Sequence, residues 1–315
     1  MIDNFLNLLF YLQKGYRAMN KKVIFEGSCV AIVTPFNSDM SVNYEELGRL
    51  IEFQIENGTD AIVSCGTTGE GATLSEEEHE KVMEYTIKKV AGRVPVIAST
   101  GSNDTAFCVK LSQQAEKMGA DGLLLVTPYY NKTSQKGLIE SYKYIADRVN
   151  IPCILYNVPG RTGVNILPET YEALCDHPNI VATKEANHDV SSVAKTLSLC
   201  GEDLAVYSGE DDQTFPIMAL GGKGVISVFA NICPKEMHDL CVAAKNGDYK
   251  TAREMSLKYI ELMNALFMDV NPIPVKEALN LMGFNIGLPR LPLTDMPEEK
   301  KAKLKAIMEK YGLIK

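Results

Sequence analysis

Eight short apolar segments recur along the chain at intervals of roughly 30 residues, and stretches with a helical spacing of apolar residues separate them. Most of the eight are rich in Val, Ile and Leu without polar alternation, as expected for parallel strands that are buried on both faces. They are Cys29–Thr34, Ala61–Ser64, Val94–Ser99, Gly122–Val126, Cys153–Asn157, Ile180–Lys184, Ala205–Ser208 and Gly224–Ser227. Eight such units predict an α/β protein with a (β/α)8 TIM barrel. A doubly wound sheet is the alternative, but it rarely uses eight regular units.

The two ends of the chain differ from this pattern. From about Pro234 onward the sequence reads as helices that prolines interrupt, so we expect a barrel over residues 19–245 and a small C-terminal helical domain over residues 246–315. The first 18 residues carry Asp3 before their apolar stretch and basic residues after it, the reverse of a signal peptide. We interpret residues 1–18 as a mis-assigned or disordered extension, with translation starting at Met19. An amphipathic extension that packs on the barrel is the alternative.

Charge and cysteine usage exclude several classes of function. The 32 Lys and Arg against 40 Asp and Glu give a net charge of −8, which argues against a nucleic acid or an anionic membrane as partner. No apolar run reaches the length of roughly 18 residues that a membrane-spanning helix needs. The eight cysteines are spread singly, without the spacing of metal ligands. We therefore predict no metal and buried, reduced thiols in a cytoplasmic protein.

Lys184 is the strongest candidate for a reactive group, because active sites of TIM barrels lie at the C-terminal ends of the strands. Alternation along the sixth strand places Ile180, Ala182 and Lys184 on one face, which we take as the barrel interior. Burial favours the neutral amine, the form that attacks a carbonyl. The alternative is a strand-end lysine that pairs with an acidic neighbour, but Glu185 points to the opposite face.

Other strand ends carry groups that would complement such an amine. Tyr156 lies at the tip of the fifth strand, and its phenol can act as general acid and base. Viewed alone, Tyr156 is at least as well explained as a core tyrosine whose hydroxyl is hydrogen-bonded. Thr67 and Thr68 lie in a turn flanked by glycines whose amides and hydroxyls can bind a carboxylate. Arg161 follows in a loop at the mouth, where a guanidinium suits a carboxylate and a solvated loop arginine is the alternative.

In order and spacing, seven motifs together make the chain from about Phe25 onward resemble the pyruvate-dependent class I aldolases, the family of dihydrodipicolinate synthase and N-acetylneuraminate lyase. The motifs are Ala31-Ile-Val-Thr-Pro35, Gly66-Thr-Thr-Gly-Glu70, Thr127-Pro-Tyr-Tyr-Asn131, Tyr156-Asn-Val-Pro159, Lys184-Glu-Ala186, Gly224-Val-Ile-Ser-Val228 and Asn271-Pro-Ile-Pro-Val-Lys276.

The resemblance implies specific roles. Lys184 would be the Schiff-base lysine, and Tyr156, Thr67 and Tyr130 the proton relay, with Tyr130 reaching the site of a neighbouring subunit. The pyruvate-binding residues implied are Thr68 for the carboxylate and Gly209 and Ile226, which would line the pocket through their backbone. The usual form of the family implies a homotetramer built as a dimer of tight dimers.

Arg161-Thr-Gly163 and the Thr-Thr pair resemble the synthase branch of the family. That branch condenses pyruvate with L-aspartate 4-semialdehyde, whose carboxylate Arg161 would bind, and the iminium itself makes a metal or organic cofactor unnecessary. A sugar-acid aldolase or an N-acetylneuraminate lyase is the runner-up. A catalytically inactive barrel kept for binding is disfavoured, because the lysine, the relay residues and the arginine are all present. Phe107 stands where lysine-inhibited relatives carry a glutamate, so we expect weak or absent inhibition by lysine.

Overall fold

The computed structural model describes Lys21 and residues 23–315. The interpretation of residues 1–18 and the proposed start at Met19 therefore lie outside the described residues. In the described part of the chain, eight parallel strands close into a barrel in sequential order, with β8 pairing back to β1. The strands are β1 (Gly27–Ala31), β2 (Ala61–Ser64), β3 (Val96–Ser99), β4 (Gly122–Val126), β5 (Cys153–Asn157), β6 (Ile180–Glu185), β7 (Ala205–Ser208) and β8 (Gly224–Ser227). The predicted TIM barrel is confirmed.

Helices surround the barrel and continue past it. Around the strands lie α1 (Tyr44–Glu56), α2 (Glu76–Val90), α3 (Thr105–Met118), α4 (Gln135–Ala146), α5 (Pro159–Thr162), α6 (Pro168–Glu172), α7 (Val190–Cys200), α8 (Thr214–Ala219) and α9 (Pro234–Lys245). After them follow α10 (Tyr249–Ala265), α11 (Ile273–Leu281) and α12 (Glu298–Lys310). The last strand precedes α9, as the sequence predicts. The division of the chain at residue 245 stays a prediction.

Local capping fixes where the barrel helices begin. Ser75 accepts a hydrogen bond from the backbone N–H of Glu78, and the Glu78 side chain accepts one from the Ser75 backbone, so a capping box starts α2. Asp104 and Asp189 cap α3 and α7 in a similar way through their carboxylates. These caps set the length of each loop that precedes a helix at the C-terminal end of the barrel, where the site is expected.

The first strand begins and ends earlier in the chain than the sequence predicts. Its sequence run is Cys29–Thr34, but the strand ends at Ala31. Beyond it, the backbone N–H of Val33 donates to the side chain of Asn231, and Pro35 has no N–H to continue a ladder. The Asn231 side chain thus takes the place of a partner strand for Val33, whereas the N–H of Ile32 still donates to the Val63 carbonyl of β2 at 3.1 Å.

A bulge changes the face pattern of β6. Its register with β5 shifts between Cys153, which pairs with Ile180, and Ile154, which pairs with Ala182. Ile180 packs in the apolar cluster between strands and helices, whereas Val181 and Ala182 pack in the cluster that fills the barrel. The prediction that Ile180 shares the interior face with Lys184 is therefore wrong. An inserted residue of this kind re-aims the side chains on either side of it.

A buried ion pair connects the C-terminal helices to the barrel. Lys276 on α11 lies 2.7 Å from Glu70, which follows β2, and both side chains are almost fully buried. The remaining donors of Lys276 reach the carbonyls of Thr34 and Leu288, and the backbone N–H of Arg290 donates to Glu70. Such a pair is stabilising only when its hydrogen bonds are satisfied, as they are here. It holds the loop after β2 against the C-terminal region.

None of the helices among the described residues combines the length and the apolar composition that crossing a membrane requires. All eight cysteines lie in this part of the chain, and each is buried and free, which agrees with the expected buried thiols.

Candidate active site

Two residues that the sequence singled out meet at the C-terminal end of the barrel. Tyr156 and Lys184 are the penultimate residues of β5 and β6, and the two are direct register partners. The ammonium nitrogen of Lys184 lies 4.2 Å from the centre of the Tyr156 ring. Lys184 is only 6% exposed, and no ion pair within 4.0 Å holds it among the described residues. A buried lysine without a carboxylate partner is costly to maintain and suggests a chemical role.

A hydrogen-bonded cluster fastens the two strands behind this pair. Asn157 and Glu185 are the next register pair, and the Asn157 side-chain amide donates to the Glu185 carboxyl group at 2.8 Å. The Tyr171 hydroxyl donates to the other oxygen of Glu185 at 3.0 Å and accepts from Thr183. Burial raises the pKa of Glu185 to about 8, although these hydrogen bonds oppose the rise. The adjacent acid is thus engaged outside the barrel and does not pair with Lys184, as the alternation predicts.

The loop after β2 brings two hydroxyls into the same cavity. Thr67 is exposed at its tip, and Thr68 is buried beneath it. The Thr34 hydroxyl donates to the Gly69 carbonyl at 2.6 Å, and a side chain at position 69 would press on the carbonyl oxygen of Ile32 at 3.0 Å. A side chain at this position would therefore make tight contacts with the backbone, which favours glycine. Both threonines line the cavity that Lys184 also lines, and neither caps a helix.

Arg161 lies on the short helix α5 directly after β5 and lines the cavity from its mouth. Its guanidinium donates to the backbone carbonyl of Asn271 at 3.3 Å. The Asn271 side-chain amide donates in turn to the Thr68 hydroxyl at 3.0 Å. Asn271 precedes α11, so the C-terminal region closes the cavity between the arginine and the buried threonine.

Of the two residues expected to line the pocket at the ends of β7 and β8, Gly209 does so and Ile226 does not. Gly209 lines the cavity, and a Cβ atom there would lie 2.8 Å from the Ala186 side chain and 3.1 Å from Lys184 Cε. A larger residue would push into the lysine. Ile226 is fully buried in the apolar cluster inside the barrel and is not among the lining residues. Val228, two residues further on, lines the cavity instead.

Tyr130 is not brought to the cavity of its own chain. It is 92% exposed, and its backbone φ of 69° lies in the left-handed region that a non-glycine residue seldom adopts. A bulky tyrosine held in the open in this conformation is unexplained within one subunit. The expectation that it serves a neighbouring subunit stays a prediction.

Sequence reasoning missed two polar lining residues, Glu210 and Asn271. Glu210 lies two residues after the end of β7, and a position just past a strand end is where site residues are expected. The alternation of side chains along the strand does not extend into the loop, so it could not show that Glu210 faces the cavity. Asn271 comes from the C-terminal region, far from any strand end, and only the fold reveals its place. Its side-chain oxygen is buried without a hydrogen-bond partner among the described residues.

A wider groove of about 520 Å³ lies between α1 and α2, and three of its five charged lining residues, Arg49, Glu52 and Lys89, already form ion pairs. Glu52 pairs with Lys89 at 3.0 Å and with Arg93 at 2.7 Å, and Arg49 pairs with Glu46 at 3.0 Å. Groups that neutralise one another at an open surface are typical of solvated helix faces. The cavity around Lys184 is therefore the candidate site.

Comparison with known proteins gives one consistent family. The model of the dihydrodipicolinate synthetase family matches residues 24–311. A 4-hydroxy-tetrahydrodipicolinate synthase of Thermoanaerobacter sp. (strain X514) is 54% identical over 93% of this chain and 98% of its own length. A dihydrodipicolinate synthase structure from Aquifex aeolicus superposes with a TM-score of 0.90 at 48% identity, covering 92% of this chain and 99% of the other. A chloride-inhibited dihydrodipicolinate synthase from Acinetobacter baumannii complexed with pyruvate gives a TM-score of 0.91 at 45% identity, over 93% and 100%.

Proposed function

The chain belongs to the dihydrodipicolinate synthetase family, and we propose that it uses Lys184 as a Schiff-base nucleophile to condense pyruvate with L-aspartate 4-semialdehyde. The product of this lyase is 4-hydroxy-tetrahydrodipicolinate, in the diaminopimelate and lysine pathway. The observation that carries the assignment of the nucleophile is the buried amine of Lys184, which lies beside the Tyr156 ring in a cavity lined by hydroxyls and a guanidinium. The Acinetobacter baumannii relative with pyruvate bound supports the first substrate.

The first half of the reaction forms an enamine. The neutral amine of Lys184 attacks the pyruvate ketone, water leaves, and an iminium forms. Thr68 and the neighbouring backbone of the glycine-flanked turn hold the pyruvate carboxylate, and the backbone of Gly209 lines the lysine side. Tyr156, with Thr67 behind it, takes a proton from the methyl group and so gives the enamine. Ile226 supports β8 from inside the barrel, a role that its burial suggests.

The second half joins the two substrates and releases the product. Arg161 holds the carboxylate of L-aspartate 4-semialdehyde, and the enamine carbon attacks the aldehyde. The amine of that substrate then displaces Lys184 and closes the ring. The iminium nitrogen is the electron sink throughout, so the proposed chemistry uses neither a metal nor an organic cofactor.

The proposed assembly is a homotetramer, a dimer of tight dimers. The exposed Tyr130, held with a positive φ away from its own cavity, supports a relay that is completed across the tight interface. Tyr130 of the partner subunit would then pass the proton on from Tyr156 and Thr67. We also propose a cytoplasmic location, which the free buried thiols support.

Borohydride trapping tests the proposal. Incubation with pyruvate and borohydride should add one reduced pyruvate unit to the peptide that contains Lys184, and addition of L-aspartate 4-semialdehyde should give the cyclic product. N-acetylneuraminate and other sugar acids should be cleaved poorly, and rapid cleavage would favour the sister aldolases. A chain that forms no adduct would be an inactive barrel, and the proposal would be wrong.

A further inference from the structure

The second substrate carries two charged groups on one carbon, and only one of them has a partner so far. Arg161 meets the α-carboxylate, whereas the α-ammonium must both be bound and lose a proton before its nitrogen can close the ring. An amine attacks a carbon–nitrogen double bond with its free electron pair, which an ammonium lacks. The site therefore needs a proton acceptor near the mouth, in addition to the relay that serves the pyruvate methyl group.

Glu210 is the one carboxylate among the described residues that line the cavity. It follows Gly209 at the end of β7, and it shares the cavity with Lys184, Arg161 and Tyr156. Its backbone is fixed by Ser208, whose hydroxyl donates to the Glu210 carbonyl at 2.6 Å and accepts from the Glu210 N–H at 3.2 Å. Asn271 also lines the cavity and can accept a hydrogen bond, but an amide cannot take up a proton at neutral pH.

We propose that Glu210 receives the α-ammonium group of L-aspartate 4-semialdehyde and accepts its proton before ring closure. This inference rests on the proposed function and assigns one further catalytic residue to it. Lys184 and Tyr156 would form the enamine, Arg161 would orient the aldehyde substrate, and Glu210 would start the step that releases the product.

The proton and electron balance of the step is simple. A proton moves from the ammonium nitrogen to a Glu210 oxygen, and the freed electron pair forms the new C–N bond to the iminium carbon. One proton passes from the ring nitrogen to the lysine nitrogen, and the bond between that carbon and Lys184 Nζ breaks, its electron pair returning to the lysine. The ring nitrogen then loses its last proton to water as the cyclic imine leaves. Glu210 gives its proton to solvent, so neither an oxidant nor a reductant is needed.

The surroundings of Glu210 suit a base that works near neutral pH. Burial raises the pKa of the Glu210 carboxyl to about 7; the charges of His188 and Lys184 oppose this rise, and Asp211 and Asp212 add to it. A general base is most effective when its pKa lies near the operating pH. Asp211 is itself held by the Ser227 hydroxyl at 2.6 Å and by two backbone N–H groups, so it is not free to replace Glu210.

The charge of His188 influences the protonation of the Glu210 carboxylate. Its ring nitrogen Nε2 lies 3.6 Å from Glu210 Oε1, and it is the one cation-forming side chain within 4.0 Å of that carboxylate in the described part of the chain. The imidazole is 71% exposed and follows the end of β6 with a φ of 58°. When protonated, His188 stabilises the charged form of Glu210. Asparagine tolerates this backbone conformation, so His188→Asn removes the cation without straining the loop.

The test compares two aldehydes in Glu210→Gln, which keeps the side-chain shape but cannot take a proton. With pyruvate alone, borohydride should trap the Lys184 adduct at a rate within about threefold of the unmodified protein. With 4-oxobutanoate, which lacks the amine, the larger carbon–carbon-coupled adduct should also form at a similar rate. With L-aspartate 4-semialdehyde, turnover should fall by about 10²-fold or more, the usual scale for a lost general base, and the coupled adduct should accumulate on Lys184. Glu202→Gln is the matched control, because Glu202 is an exposed carboxylate that pairs with Lys223 and does not line the cavity.

Each outcome is decisive. Equal losses with both aldehydes would show that Glu210 merely supports the site, and turnover within threefold of normal would show that another group takes the proton; either result overturns the inference while leaving the proposed function in place. If the unmodified protein traps no pyruvate, the proposed function fails and the inference falls with it. In His188→Asn, the acidic limb of the pH–rate profile should move to higher pH, because Glu210 loses a cation that favours its charged form.

Discussion

Lys184 and Tyr156 face each other across neighbouring strands, with the lysine nitrogen 4.2 Å from the centre of the tyrosine ring. Their register is set twice, by the β5–β6 ladder and by the hydrogen bond between Asn157 and Glu185, the next pair along it. The nucleophile and its proton-transfer partner are thus placed by rigid strands, which hold a reacting geometry better than loops do. Several expected outcomes depend on this arrangement.

Replacing the nucleophile should remove the chemistry and leave the barrel. Lys184→Ala deletes the amine that would bond to pyruvate, so borohydride should add no pyruvate mass. Removing a buried polar group that has no ion-pair partner among the described residues relieves a desolvation cost, so the melting temperature should not fall. Lys195→Ala is the control, since Lys195 is an exposed lysine on α7 that pairs with Glu169. An adduct in Lys184→Ala would show that the nucleophile is misassigned.

Replacing the arginine should separate the two substrates. Arg161→Ala should form the pyruvate adduct normally but lose roughly 10- to 100-fold in kcat/KM for L-aspartate 4-semialdehyde, because a hydrogen bond to a charged group contributes about 1.5–3 kcal/mol. Arg161→Lys should recover part of this loss, since it restores the charge but not the bidentate geometry. Equal losses in adduct formation and in turnover would indicate instead that Arg161 organises the whole site through its contact with Asn271.

The fold and the catalytic lysine follow from the sequence because both depend on local patterns. Eight apolar runs predict the strands, and the rule that barrel sites lie at strand ends selects Lys184, Tyr156 and Arg161. Pairwise geometry is a different matter. The bulge that moves Ile180 out of the interior depends on how two strands pair, and Asn271 reaches the cavity only because the C-terminal helices fold back over it. Neither contact leaves a periodic signal in the chain.

The cluster behind the site should respond to pH through Glu185. Burial raises the pKa of Glu185 to about 8, so the folded protein keeps a proton there that the unfolded chain releases at a lower pH. Between about pH 5 and 8 the folded state therefore binds more protons, and this residue makes stability fall as pH rises. Glu185→Gln keeps both hydrogen bonds if the Tyr171 hydroxyl reverses its direction. The melting temperature of Glu185→Gln, relative to that of the unmodified protein, should therefore rise as pH increases from 5 to 8.

Two further variants test whether the pH dependence of the melting temperature comes from Glu185. Glu140→Gln removes an exposed carboxylate and should show no such pH-dependent gain. Asn157→Ala removes the donor and should lower both stability and turnover, because it loosens the register of Tyr156 and Lys184. A constant difference in melting temperature between Glu185→Gln and the unmodified protein at every pH would mean that Glu185 is already charged in the fold.

Subunit mixing should reveal whether Tyr130 acts across an interface. Tyr130→Phe should slow turnover, since it removes a relay hydroxyl, and Lys184→Ala should be inactive. When the two variants are unfolded and refolded together, a mixed dimer contains one site with both an intact lysine and an intact tyrosine from the other subunit. Random pairing should restore up to about a quarter of normal activity. If the activity of the mixture stays at the average of the two variants, Tyr130 does not take part in the proton relay of a partner subunit.

Inhibition by L-lysine should be weak. The resemblance to lysine-inhibited relatives implies an effector cleft at the proposed tight-dimer interface. The residues that would match it here are Ala72, Glu76, His79, Asn103, Phe107 and Tyr129. Phe107 replaces the glutamate that meets the effector's ammonium in those enzymes, and its half-buried ring packs against the apolar core. Glu76 is the one nearby carboxylate of this set, but it already forms an ion pair with Lys110.

The size of the effect follows from the lost charge. Removing the charged partner of a buried group typically costs about 3–5 kcal/mol, and each 1.4 kcal/mol is about tenfold in affinity, so binding should weaken by at least about a hundredfold. Assays at millimolar L-lysine should therefore show little inhibition, whereas Phe107→Glu should become sensitive because it restores the carboxylate beside His79 and Asn103. The melting temperature of that variant shows whether the introduced charge is tolerated. Half-maximal inhibition of the unmodified protein below 1 mM would mean that Glu76 leaves Lys110 and takes over the missing contact, and Glu76→Gln would then abolish it.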